Sequence, residues 1–114
     1  GLINFKSTRN GTTHHTMHSS GGWPTNKPHD ITIDGTNAIL YSVSNYDISG
    51  DLTINSGDTF NTQHVSGGTS YTLIVAGGIE GAGTLTAHAS QITCGWMTLT
   101  GSYDATTHAN GVVI

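Results

Sequence analysis

The stretches YDISGDLTINSGDTFNT (46–62), YTLIVAGGIEGAGTLTA (71–87) and QITCGWMTLTGSYDATT (91–107) decide how this chain folds. Each holds short apolar-alternating runs broken by Gly, and each closes on a Thr-rich segment. Tyr46 and Tyr71 are 25 residues apart, and so are Phe60 and Leu85. Self-similarity at a period of roughly 20–30 residues marks a stacked architecture, because one unit cannot bury its apolar side without a neighbour. Two all-β architectures accommodate the pattern. In a right-handed parallel β-solenoid each repeat is one coil, stacked about 4.8 Å above the last. In an antiparallel β-sandwich the same strands pair as hairpins, with turns about every 8–12 residues. The likeness between repeats favours the solenoid, since sandwich strands have no reason to resemble one another at a fixed offset.

Composition agrees with an all-β chain. Of the 114 residues only 9% are charged and 16 are Gly, where an ordinary soluble domain carries about a quarter charged residues. Thr, Ser and Asn fill the deficit. Thr suits the solvent side of a strand because its branched Cβ favours extended backbone while its hydroxyl stays hydrated. No window keeps the i, i+3, i+4, i+7 apolar pattern of a helix free of Gly. Alternation predicts strands near 31–33, 38–43, 47–54, 71–76, 84–87 and 92–100. It predicts a core of Ile48, Leu52, Leu73, Val75, Ile79, Leu85, Leu99 and Trp96.

Residues 1–29 differ in character from the rest of the chain. LINF (2–5) reads as a short strand, KSTRNGTTHHTMHSSGG (6–22) as a polar loop, and GGWPTNKPHD (21–30) as extended chain because Trp23 and Lys27 each precede a proline. This segment is expected to be an N-terminal arm or cap, with residues 30–114 forming the β-repeat domain. The apolar ending HANGVVI reads as part of a longer polypeptide. Lys6, Arg9 and Lys27 are the only basic side chains, and all precede the seven acids, which run from Asp30 to Asp104. Nucleic-acid binding needs a basic stripe, and none exists beyond residue 27. Nor does any apolar stretch approach the roughly 20 residues that span a membrane.

The succession GGWPTNKPHDITIDG … ISGDLTINSGDTFNT … LIVAGGIEGAGTLTA resembles a recurrent module of large microbial surface and virion proteins. In those modules a Trp–Pro segment leads to a D-[IV]-T-I strand. Next come L-T-I-x-x-G-x-T-[LF] and a closing [IV]-x-G-x-[IL]-x-x-x-G-T-L-T. The likeness covers roughly residues 22–87; residues 1–21 and the final ANGVVI have no counterpart. Similar modules are right-handed β-helical pieces of adhesins, secreted surface proteins and phage structural proteins. The resemblance implies fold and an extracellular setting, and no catalytic residues.

Several residue groups are candidates for chemistry. Seven His is a high count. His14 and His18 would share a face of a strand, within one chain or around the axis of an oligomer, as metal ligands. His64, His88 and His108 each succeed a Thr-rich close and would form a column if the repeats stack, able to bind a transition metal and repelling when protonated. Asp47, Asp51 and Asp58 are expected in turns, bonded to nearby backbone, rather than as a hydrolytic pair. No G-x-S-x-G motif or calcium-loop pattern occurs. Cys94 reads as a small buried thiol, and Asn10 opens an N-glycosylation acceptor. Leu2, Phe5 and Trp23 are candidate interface residues. Exposed aromatics would stack on sugar rings, and the T-x-T runs in GTLT (83–86) and MTLT (97–100) would form rows on a flat ice-binding face.

These features imply no cofactor and no enzyme. The expected role is a non-enzymatic extracellular structural subunit, such as a virion decoration or fibre component or a surface-filament module, working as a homo-oligomer or within a larger assembly. The alternative is a glycan- or receptor-binding adhesin module.

Overall fold

The computed structural model describes residues 2–5, 14–17, 29–35, 37–42, 45–63, 69–104 and 112–113. These form twelve strands and no helix. In chain order they are β1 (Leu2–Phe5), β2 (His14–Met17), β3 (Asp30–Ile33), β4 (Ile39–Ser42), β5 (Tyr46–Ile48), β6 (Leu52–Ile54), β7 (Thr59–Asn61), β8 (Leu73–Gly81), β9 (Thr84–Thr86), β10 (Ile92–Leu99), β11 (Ser102–Asp104) and β12 (Val112–Val113). One sheet runs β1-β3-β6-β8-β10-β12, with β5 also pairing β8; the other runs β11-β9-β7-β4-β2. The chain therefore passes from one sheet to the other and back, each return laying a strand beside the previous one.

Every ladder between these strands is parallel. The single antiparallel contact among the described residues is the isolated bridge Gln63–Ser70. The antiparallel sandwich is thereby set aside: no two named strands form a hairpin pair.

Alternation places one side chain in two between the sheets. Register then stacks like on like. Ile31, Leu52 and Ile79 occupy one inner row, and Leu40, Phe60, Leu85 and Tyr103 another in the facing sheet. The first three, with Leu40, Phe60 and Leu85, are at most 1% exposed. Tyr46 and Phe60 meet across the interior edge-to-face, with centroids 5.8 Å apart. Ile48, Leu52, Leu73, Val75, Ile79 and Leu85 are buried as expected, and Leu99 is partly buried against them.

Four expectations are corrected. Tyr71 does not take the place of Tyr46; Tyr46 pairs with Leu73, whereas Phe60 and Leu85 do pair with each other. The chain is longer from Tyr46 to Phe60 than from Leu73 to Leu85, so the 25-residue offset holds in one sheet only. The run 47–54 is two strands, split at Ser49–Asp51, although both lie beside the continuous β8. The polar stretch expected as a loop contains β2, which runs along the backbone of β4 from His14 opposite Ile39 to Met17 opposite Ser42. A neighbouring ladder, not an apolar pattern, makes that strand. Lastly, Trp96 lies outside the core, 46% exposed. Val75 pairs with Cys94, but Gly78 pairs with Trp96, so β10 has one residue fewer than β8 between those points. The resulting bulge turns Trp96 to the outer face. Both sheets extend through β1 and β2 into the segment expected as an arm or cap.

Close stacking of successive passes leaves no room for Cβ at certain corners. At Gly83 an added Cβ would overlap the Ile54 side chain and sit 2.8 Å from the Asp58 carbonyl oxygen. The Gly83 N–H itself donates to the Ile54 carbonyl at 2.8 Å. Gly83→Ala should therefore lower stability by about 1–3 kcal/mol through overpacking. Ser56→Ala, at an exposed turn position, should change it by less than about 0.5 kcal/mol. Thermal unfolding of the two variants checks the difference.

Candidate functional site

The polar chemistry of the described residues collects along three lines that run from pass to pass. The first is at the turn before β7. Asn55 and Asp58 close it with a 3.0 Å backbone hydrogen bond, and Gly57 at φ 85° supplies the positive φ that the third position of a type II turn requires. Asp58 is fully buried. The sequence places its side chain in the service of its own turn, but the carboxylate serves the preceding pass instead. Oδ2 accepts from Gly35 N at 2.8 Å and Oδ1 from Ala38 N at 2.9 Å. Its backbone carbonyl accepts from Thr84 N of the next pass at 2.9 Å. One residue thus ties three passes.

A second line runs along the end of the β7–β9 region. Ser90 Oγ donates to Thr62 Oγ1 at 2.7 Å, and Thr62 Oγ1 donates to the Ala87 carbonyl at 2.9 Å. Ser42 Oγ donates to the Asn61 carbonyl at 3.0 Å. Ser42, Thr62 and Ser90 are all buried, so each hydroxyl is satisfied by a neighbouring pass or turn, as buried polar groups must be. Beside them His88, at φ 49°, places Nε2 3.1 Å from Asn61 Oδ1, which also accepts from Gln63 N at 2.9 Å. With Oδ1 as acceptor, Nε2 carries the proton. The one described member of the expected histidine column therefore bonds an Asn of the preceding pass. His64 and His108 lie outside the described residues.

The third line lies on the outer face of the larger sheet. Asp30 Oδ1 accepts from Asp51 N at 2.8 Å, and Asp51 Oδ1 accepts from Gly78 N at 2.9 Å. The Trp96 indole lies against that same Gly78, where an added Cβ would overlap ring atoms Nε1, Cε2 and Cδ1. The hydrogen bond from the Asp51 backbone, and then His29, whose Nδ1 is 3.1 Å away, hold the Asp30 carboxyl below its usual range. Further along the same face Thr53 Oγ1 donates to Glu80 Oε1 at 3.2 Å.

Of the remaining candidates, His14 of β2 lies opposite Ile39, while Leu2 and Phe5 lie on β1 opposite Asp30 and Ile33. His18, Asn10 and Trp23 lie outside the described residues. The two T-x-T runs fall on different sheets, Thr84 and Thr86 in β9 and Thr98 in β10, so they form no common row. Among the described residues no three His, Cys, Asp or Glu side chains converge as metal ligands. Sequence reasoning missed the outward turn of Trp96. The signal was present: aligning Val75 with Cys94 and Ile79 with Met97 leaves three residues in one pass against two in the other. No protein family, curated protein or solved structure matches the chain.

Asp58→Ala leaves two backbone N–H groups without an acceptor in or beside the core, and should cost about 2–5 kcal/mol; chemical denaturation measures it. Cys94 is the sole thiol and is buried, which pushes its pKa up. It should resist a thiol reagent at pH 8 in the folded protein and react stoichiometrically in denaturant, since only the thiolate attacks. Prompt reaction in the native state would contradict the burial.

Proposed function

We propose that this chain is a right-handed parallel β-solenoid module that serves as a non-enzymatic structural part of an extracellular assembly, in the manner of virion, fibre or surface-filament components. The observation that carries the reading is the regular alternation of the chain between two all-parallel sheets with like residues stacked in register. A connection that returns to lie parallel beside its own strand takes the right-handed sense under ordinary strand twist. The motifs behind the resemblance to microbial surface and virion modules support it further. D-I-T-I is β3, L-T-I-x-x-G-x-T-F is β6, its turn and β7, and the closing motif runs from β8 into β9. Their glycines fall where backbone demands them: Gly57 has positive φ, and a Cβ on Gly77 or Gly83 would collide with the preceding pass.

A scaffold role agrees with how this fold is stabilised. Its hydrogen-bond ladders run along the stack, and an open edge strand in such a stack can accept a further strand. The chain's few charges are segregated, with every Lys and Arg before the first acid. Opposite charge between copies would guide docking and set register, and weaken with salt.

Light scattering tests the assembly. The full chain is expected to run as a multimer, with its mass falling as salt rises. Removal of residues 1–21 should yield folded species of lower mass. A salt-independent monomer in the full chain would overturn the reading.

A further inference from the structure

Trp96 stands on the outer face of the larger sheet with 46% of its surface exposed. Its ring rests on Gly78, which is buried although it lies on the same outer face. Beneath that glycine, Asp51 Oδ1 holds the Gly78 N–H, and Asp51 N is in turn held by Asp30. Three successive passes therefore meet at the residue beneath the ring, and an aromatic side chain, with only two χ angles to fix, loses little entropy when a ligand stacks on it.

The surroundings of the ring are mixed in a particular way. Ile74, at 39% exposure, and Ala76 continue the apolar surface along β8. Thr98 is exposed and pairs with Glu80 across the ladder. Among the described residues neither the Trp96 Nε1–H nor the second carboxyl oxygen of Asp51 has a hydrogen-bond partner. A flat apolar ring whose own edge carries a donor, lying over a glycine whose N–H is held by a carboxylate, matches a ligand with a C–H face and a rim of hydroxyls. A pyranose ring has that chemistry. The net charge of −4 and the nearby Asp51 and Glu80 disfavour acidic sugars.

We propose that the Trp96 ledge binds a neutral hexopyranose unit of a glycan. The indole carries the C–H face of the sugar, and Trp96 Nε1 and Asp51 exchange hydrogen bonds with its hydroxyls. This site goes beyond a scaffold role and stands independently of the oligomeric state.

The test is a glycan array displaying neutral gluco-, galacto-, manno- and N-acetylhexosamine oligosaccharides beside uronic and sialic acid glycans. It is probed with the multimerised protein, and the best binder is then titrated. The wild-type chain should bind at least one neutral class and no acidic one. Trp96→Ala should weaken binding about tenfold or more. Trp96→Phe, which keeps an aromatic face but loses the N–H, should fall between the two. Asp51→Asn, which keeps an oxygen for Gly78 N, should weaken binding about threefold while the protein still melts cooperatively, with only a small drop in melting temperature from the loss of a charge-assisted bond. Were Trp96→Ala destabilised, the comparison of Trp96→Phe with wild type would still decide the matter. Equal affinity in the Trp96 variants, binding of acidic glycans alone, or no glycan bound by the wild type would each overturn the proposal.

Discussion

Two backbone N–H groups of one pass, on Gly35 and Ala38, end on the side chain of a single buried residue in the next, Asp58. Parallel strands cannot be joined by a tight hairpin, so each return between sheets must cross a corner where ladder hydrogen bonds are interrupted. Polar backbone at such a corner is buried by the next pass and needs a partner within the protein. Asp58 supplies both acceptors on one side while its own carbonyl accepts Thr84 N on the other. The corner is thereby closed without an intervening loop, and β4, β7 and β9 are brought into register. This tie acts at the entry of the inner row of Leu40, Phe60 and Leu85, beside the bond from Thr59 N to the Ala38 carbonyl at 2.8 Å.

The same geometry dictates where side chains are absent. Stacked strands lie about 4.8 Å apart, and at the corners a Cβ pointing along the stack meets the backbone of the pass below. Gly77, Gly83 and Gly101 all stand over carbonyl oxygens of earlier passes. The Gly101 position abuts the backbone carbonyls of Gly83 and Ala82, which leave no room for a Cβ there. Along the line of Ser42, Thr62 and Ser90, small buried hydroxyls satisfy one another and the carbonyls of Asn61 and Ala87. Glycine and hydroxyl corners together explain how so large a share of Gly, Ser and Thr folds with so few charges.

The periodic part of the fold was legible in the residues. Phe60 and Leu85 resemble each other at their offset because they occupy the same inner row, and the parity of Ile48, Leu52, Leu73 and Val75 was enough to bury them. Any place where two passes differ in length was not legible. Tyr46 and Tyr71 look equivalent, but the span from β5 to β7 is longer than that from the start of β8 to β9, so Leu73 takes the place opposite Tyr46. Three-residue strands such as β7 and β11 show too little alternation to declare themselves; they are made by the ladders beside them. Asp58 was legible as a turn residue, yet its partners lie in another pass, and no local pattern announces a contact of that range. Among the candidate sites, the buried Cys94 was legible from its apolar context, whereas the outward Trp96 was not.

Trp96 shows how an irregularity in a parallel ladder alters the outer surface of a sheet. Outer positions in register carry similar chemistry: Thr32, Thr53, Glu80 and Thr98 form a polar line. One residue fewer in β10 breaks the parity between Cys94 and Met97, and the side chain that strict repetition would have sent inward emerges over Gly78. The glycine beneath is no accident of composition, because any Cβ there would displace the ring. Nor is Asp51, whose oxygen holds the Gly78 N–H from below. Regular stacking supplies rigidity, and the slip in register presents a large aromatic side chain to solvent.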